Sequence, residues 1–324
     1  MIDTIANPLY RLLGNRLAPA GPEGCLSILI FHRVLAAPDP LFPHEATADT
    51  FDAHMSLLKA VFNVLPLAEA VERLKTGTLP ARAASITFDD GYADNVTTAL
   101  PILQRHGLPA TFFIATAYLD GGRMFNDTVI EAIRRTPHDQ LDLNALGLGQ
   151  HDLGSSEARA RAIGQILPKV KPLPPDEREI TVARLCDLAD CGPLPEDLMM
   201  TSDQLRNLHG SGMDIGAHTA RHPILANMDG DAVRKEIVEG QAFLEAAIGE
   251  RIRLFAYPNG KPGKDYLPEQ RAIVRELGFE GALSTQPGVA TRASDPFQLP
   301  RFTPWSRNAY RFIPSLLGNL AVKI

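Results

Sequence analysis

The stretch Thr87-Phe88-Asp89-Asp90-Gly91-Tyr92 decides the fold. It continues the apolar run Ala83-Ala84-Ser85-Ile86, the pattern of a short buried strand. Two adjacent carboxylates at the end of such a strand cost free energy unless something neutralises or uses them. Gly91 permits a sharp turn, so both carboxylates can point into one cavity rather than to opposite faces. A second constellation, His218-Thr219-Ala220-Arg221-His222, follows directly on another apolar run, Met213-Asp214-Ile215-Gly216-Ala217. Carboxylates and paired imidazoles at strand ends are the donor types of a divalent-metal site. Pro223 biases His222 away from helical geometry, and no glutamate adjoins His218 as a helical metalloprotease motif requires. The histidine pair is therefore expected in a tight loop after its strand.

Outward from these two points the chain alternates. Cys25–Val34 is a near-continuous apolar run, the pattern of a strand buried on both faces, and it ends at His32-Arg33. A Pro-rich connection from Ala36 to Pro43 precedes a helix from Thr50, as N-cap, to Val61. Short strands are expected at Asn63–Leu65 and Ala110–Ala115, and helices at Leu67–Leu74 and Asn95–His106. The rhythm stops between about Gly121 and Met200, where Asn126–Arg135, Ser155–Leu167 and Pro175–Leu188 read as helices and no segment reads as a strand. This stretch is expected to be a helical insertion laid over the barrel, contributing to the substrate cleft. Strands resume with the His-bearing run, Arg251–Tyr257, Gly281–Ser284 and Leu299–Phe302. Such alternation predicts a parallel α/β sheet or barrel, in which working residues sit at the carboxyl ends of strands. Asp89, Asp90, His218, His222, Tyr257 and His32 all lie at or just past the end of an apolar run.

The chain has 324 residues, 45% hydrophobic and 22% charged, which excludes a disordered chain, and its net charge of −6 argues against nucleic acid as a partner. Cys25, Cys186 and Cys191 cannot all pair within one chain and show no zinc-cluster spacing, so free thiols in a reducing compartment are expected. No run approaches the length needed to cross a membrane, and Met1–Leu17 lacks the build of a secretory signal. Residues 1–24 form an amphipathic segment, with Ile2, Ile5, Leu9, Leu12, Leu13 and Leu17 at helical spacing beside Arg11 and Arg16. Residues 306–324 form a second, with Phe312, Ile313, Leu316, Leu317 and Leu320 apolar. Each either packs on the protein's own surface or lies at a membrane interface. A cytoplasmic location is the expectation, with membrane association as the alternative that these ends leave open.

Thr87-Phe88-Asp89-Asp90-Gly91 and His218-Thr219-x-x-His222, in that order, resemble the first two motifs of the polysaccharide deacetylase family (NodB-homology, carbohydrate esterase family 4). The resemblance covers roughly residues 25 to 305 and implies an α/β fold, a distorted (β/α) barrel of the polysaccharide deacetylase type with a helical insertion at about 121–200. It implies Asp90, His218 and His222 as metal ligands and Asp89 as general base; sequence chemistry alone does not say which aspartate does which. Such a set takes Zn2+ first, and also accommodates Co2+, Ni2+ or Fe2+. The implied reaction is hydrolysis of an N-acetyl group, with a general acid protonating the leaving amine.

Two departures matter. Many members place the acid in a late Leu-x-x-His motif, but this chain has no histidine after His222. Leu29-Ile30-Phe31-His32-Arg33-Val34 resembles the Tyr/Phe-His-x-Val strand of a permuted subgroup similar to poly-N-acetylglucosamine deacetylases, so His32 is the expected acid. The alternative is a core-edge histidine with a structural hydrogen bond. Where members show Arg-x-Pro-Tyr, this chain has Phe255-Ala256-Tyr257-Pro258-Asn259-Gly260. By resemblance the oxyanion donor belongs to that loop, around Tyr257. The missing arginine is replaced by Arg301, or Arg301 makes an ordinary surface ion pair. The histidines at 44, 54, 106, 138, 151 and 209 are assigned nothing, and Trp305 stacks on a sugar or packs.

The function these residues imply is removal of an N-acetyl group from an N-acetylated sugar in surface or exopolysaccharide biosynthesis, on a lipid-linked or nucleotide-linked precursor. The alternatives are hydrolysis of another amide, cyclic amides included, on the same fold, and a non-catalytic carbohydrate-binding relative.

Overall fold

The computed structural model describes residues 3–304 and 309–324. It divides into two compact units, residues 1–36, 46–119 and 200–324 in the first and residues 37–45 and 120–199 in the second. The chain lays down β1 (Cys25–Phe31), β2 (Val34–Leu35), β3 (Ala46–Thr47), β4 (Asn63–Val64), β5 (Ala83–Phe88) and β6 (Thr111–Ile114). In the second unit follow β7 (Gln140–Leu143) and β8 (Gly149–Asp152). The first unit then adds β9 (Asp214–Ala217), β10 (Leu254–Ala256), β11 (Gly281–Leu283) and β12 (Ala290–Thr291).

The main sheet has the order β11-β10-β9-β6-β5-β1-β12, with β4 beside the start of β5. Every pairing is parallel except β1 with β12. The extended segment Leu299–Phe302 links the two ends of the curled sheet. Leu299 exchanges bonds with Ala282 and Ser284 on one side, while Phe302 does so with Ile28 and Ile30 on the other. This is the distorted (β/α) barrel expected from the sequence.

Strand parity sorts the core. Residues 29 and 31 of β1 and 84, 86 and 88 of β5 pack in one cluster with the covering helices, where Phe88 stacks on Phe112 at 4.6 Å and on Phe31 at 5.4 Å. Their alternates Leu26, Ile28 and Ala83 pack in a second cluster with Phe113, Ala256, Leu283 and Leu299. Thr87 and Asp89 share this second parity, so the strand delivers Asp89 to the barrel's interior side. The helix Ala48–Val61 is capped by Thr47, whose hydroxyl accepts from the Thr50 amide, rather than by Thr50 as expected. The helix after the Asp-Asp stretch opens with a π-helical turn, Asn95–Ala99, before Leu100–His106.

The helix Ala309–Asn319 buries Phe312, Ile313, Leu316 and Leu317 in the barrel's own core, which for this end is the packed alternative of the two left open by the sequence. The helix Asp3–Leu17 leaves Leu9, Leu12 and Leu13 exposed. Among the described residues no helix is long and apolar enough to cross a membrane. Trp305 lies outside the described residues.

The second unit contains the helices Phe125–Arg135, Ser156–Val170 and Pro175–Ala189 around its own apolar cluster. It also contains the antiparallel hairpin β7–β8, which corrects the all-helical expectation. Residues 37–45, read from the sequence as a connection, belong to this unit, where Asp39 forms an ion pair with Arg134.

Gly216 in β9 shows how tightly the barrel is filled, since a Cβ there would stand 2.3 Å from two atoms of the Phe113 ring. Gly216→Ala is expected to cost about 1–3 kcal/mol by overpacking, read as a lowered urea midpoint at constant m-value. An unchanged midpoint would show that the Phe113 ring moves freely.

Candidate active site

Four strand ends meet at one point. Asp89 and Asp90 follow β5, His218 follows β9, Tyr257 follows β10 and His32 follows β1. The Asp89 amide donates to Phe31 O (3.0 Å) and the Ala115 amide to Asp90 O (3.2 Å), so the β5 turn is tied to the ends of β1 and β6. Asp90 turns through a left-handed backbone, φ 76°, followed by Gly91 at φ 93°. Non-glycine residues avoid this region, and such strain persists where the surroundings over-determine it.

Asp90, His218 and His222 each present one ligand atom, all within 4.8 Å of one another. Both Nε2 atoms face Asp90 Oδ1, at 3.5 Å from His218 and 3.4 Å from His222. The His218 Nδ1 lies 2.7 Å from Ala256 O. That contact makes Nδ1 the protonated nitrogen and leaves Nε2 as a ligand atom, as outer partners do for ligating histidines. Asp90 Oδ1 is buried and has no hydrogen-bond partner in the protein. A buried carboxylate oxygen left in this state is costly. An orphaned oxygen opposite two imidazole nitrogens fits a divalent cation.

The loop carrying the histidines is braced from several sides. Thr219 Oγ1 donates to His218 O (2.5 Å) and accepts from the His222 amide (3.0 Å). From the helix Gly230–Ile248, the buried Glu236 accepts from the Arg221 amide (2.8 Å) and its guanidinium (2.6 Å). Gly240 of the same helix lets the loop approach, since a Cβ there would stand 2.8 Å from Thr219 backbone atoms. Thr219 and His222 have φ of 63° and 51°.

Asp89 is gripped by Arg301. Two parallel bonds of 2.7 Å join the guanidinium to the two carboxylate oxygens, and Arg301 Nε donates to Ser284 O at 2.9 Å. Arg301 is 1% exposed. It is thus a buried bidentate partner and not a surface ion pair, resolving the alternative left open by the sequence.

Burial alone would raise Asp89, but the Arg301 guanidinium, with smaller pulls from His218 and His32, holds it below the ordinary carboxylate range. Burial would likewise raise Asp90; the imidazoles around it, His218 first and then His222 and His32, hold it well below. Burial pushes His222 down to about 3, so its imidazole is neutral and ready to ligate. His218 is also disfavoured as a cation by burial, yet the Asp89 and Asp90 charges raise it.

His32 is exposed and directly follows Phe31, whose carbonyl accepts from the Asp89 amide, so the end of β1 brings it beside the cluster. Tyr257 departs from the expectation. Its amide donates to Leu283 O (3.1 Å), its hydroxyl to Phe297 O (3.0 Å), and its ring stacks on Tyr266 at 3.7 Å. Burial, then the neighbouring Tyr266, raises its phenol. The Tyr257 amide is therefore spent on the sheet ladder and is not an oxyanion donor. The Gly260 amide is also engaged, with Pro258 O at 2.7 Å.

Sequence reading missed Thr219 as a brace, and Glu236, Ser284 and the Ala256 carbonyl altogether. No local signal marks Glu236, Ser284 or Ala256, because each acts through a contact distant in the chain, whereas Thr219 acts within its own loop.

The polysaccharide deacetylase family profile matches residues 76–143 and 185–282. YxkH, a Bacillus subtilis (strain 168) protein named for the same family, is 20% identical over 278 residues, 85% of this chain and 70% of its own length. The Streptococcus pyogenes deacetylase PplD, solved in complex with acetate, superposes with a TM-score of 0.60 at 18% identity, covering 92% of this chain and 99% of PplD. IcaB from Ammonifex degensii gives the same TM-score and identity, covering 94% and 99%. His32 and Arg301 fall outside the matched residues; Arg301 joins this site through its bond to Asp89, and His32 through the end of β1, to which the Asp89 amide bonds. With its motifs, barrel and matched residues in agreement, the chain belongs to the polysaccharide deacetylase family.

Proposed function

We propose that this protein is a metal-dependent N-deacetylase acting on an N-acetylated sugar of a surface polysaccharide or its precursor. The observation that carries this reading is the pairing of an Asp90/His218/His222 donor set with the Arg301-bound Asp89 beside it. A divalent ion held by Asp90, His218 and His222, zinc first among Zn2+, Co2+, Ni2+ and Fe2+, supplies Lewis acidity to the acetyl carbonyl and acidifies a water.

The chain's own residues do the rest. Asp89, kept ionised and oriented by Arg301, takes a proton from the attacking water. The Asn259 amide, between the engaged Tyr257 and Gly260 amides, is the donor proposed for the developing oxyanion. His32 protonates the leaving amine. Lipid-linked substrates reached from the cytoplasm belong to this reading, supported by the exposed Leu9, Leu12 and Leu13 beside Arg11 and Arg16. Co-sedimentation with anionic vesicles, lost in a Leu9/Leu12/Leu13→Ser variant, is the expected result; an equal pellet for both proteins would remove the membrane from the proposal.

Purified protein is expected to hold near-stoichiometric divalent metal, and the His222→Ala variant little. Because His218 is raised, it must surrender its proton before it ligates, so metal binding tightens as pH rises toward that value and levels off above it. Calorimetry in buffers of different ionisation enthalpy reads the released proton. Wild type that stays metal-poor after reloading sinks the mechanism and favours a carbohydrate-binding role.

Arg301→Met removes the cation that depresses Asp89, so burial prevails and the carboxyl titrates higher. The base must be ionised to act; the acid limb of kcat/KM for acetate release is therefore expected to move to higher pH. A limb that stays in place would mean that Asp89 is not the base.

A further inference from the structure

The loop that bears His32 is held by the two residues that start the helix after the Asp-Asp turn. Asn95, fully buried, donates from Nδ2 to the His32 carbonyl at 2.8 Å. Asp94 Oδ2 accepts from Arg33 Nε at 2.7 Å, and its Oδ1 accepts from the Val34 amide at 3.1 Å. Asn95 Nδ2 also reaches Asp94 Oδ1 at 3.2 Å, joining the two side chains. Three consecutive residues, 32 to 34, are thus each gripped by one short segment, which follows Asp89 and Asp90 by only four residues. The π-helical turn that begins at Asn95 is the local irregularity that accompanies this placement.

We propose that Asn95 and Asp94 are positioning residues, a clamp that fixes the general acid His32 relative to the base Asp89 and the ligand Asp90. The inference rests on the deacetylase reading above. In the step concerned, water oxygen bonds to the acetyl carbon, the C–N bond breaks, Asp89 takes a water proton, and the His32 imidazolium gives its proton to the departing nitrogen. Acetate and a free amine result. An amine does not leave as an anion, so this step needs a well-placed acid. A nitrophenolate leaves unaided. Misplacing the acid therefore harms amides and spares activated esters, whereas damage to the metal or base side harms both.

The test compares metal-loaded wild type, His32→Ala and Asn95→Ala on an N-acetylglucosamine pentamer, by acetate release, and on 4-nitrophenyl acetate. Metal content and thermal midpoint are measured alongside. For Asn95→Ala the expected result is a fall of about 10²-fold or more in kcat on the pentamer, the range of a lost general acid, with KM within about threefold. The ester rate should stay within the same margin, and the metal content should match wild type.

The same split in His32→Ala, absent in Asn95→Ala, overturns the clamp alone. No split in His32→Ala overturns the acid reading on which the clamp rests, and equal losses on both probes place Asn95 on the metal side. Should Asn95→Ala fail to fold, Arg33→Met loosens the same turn from its partly exposed side, at 27% side-chain exposure. A smaller split in the same direction supports the clamp, and no split overturns it.

Discussion

The buried pair between Arg301 and Asp89 is the constraint on which the site depends. A carboxylate at 2% exposure and a guanidinium at 1% are each costly alone, and their double hydrogen bond makes both tolerable. The pair also locks topology to chemistry. Arg301 sits in the segment that hydrogen-bonds to both ends of the sheet, so barrel closure and orientation of the candidate base are one event. Its Nε contact with Ser284 O extends the link to the end of β11.

Much of this was legible in the sequence. Strands buried on both faces announce themselves as continuous apolar runs, and residues placed just past such runs converge once the sheet curls. That logic located Asp89, Asp90, His218, His222 and His32. It could not decide whether Arg301 was buried, because that depends on closure between segments more than 200 residues apart. It located Tyr257 at its strand end but not the use of its amide, for a related reason: a residue at a strand end can still bond into the ladder, and Tyr257 does, through Leu283.

The hairpin β7–β8 was invisible for a different reason. Its strands are four residues long, and β7 contributes only Leu141 and Leu143 to the apolar face. Two apolar positions are too few for a period-two pattern to stand out from the helices around it. The amphipathic ends show the complementary limit. Both have helical spacing, yet Phe312, Ile313 and Leu316 are covered by the barrel while Leu9, Leu12 and Leu13 are not. Periodicity reports that a face exists and is silent about what covers it.

Backbone strain ties these strands together. Asp90, Thr219, His222 and Asn259 all take left-handed conformations that their side chains disfavour, and they lie on the three loops leaving β5, β9 and β10. Each loop is braced by a residue from elsewhere: the Asp90 carbonyl by the Ala115 amide, the histidine loop by Glu236, and the Asn259 carbonyl by the Thr285 hydroxyl at 2.8 Å. The His32 loop, held by Asn95 and Asp94, completes the set without a strained residue. Strain of order 1–3 kcal/mol per residue persists only when neighbouring structure imposes it. The rigid barrel supplies that imposition, and what it secures is a cluster of like and unlike charges at separations that a relaxed chain would not hold.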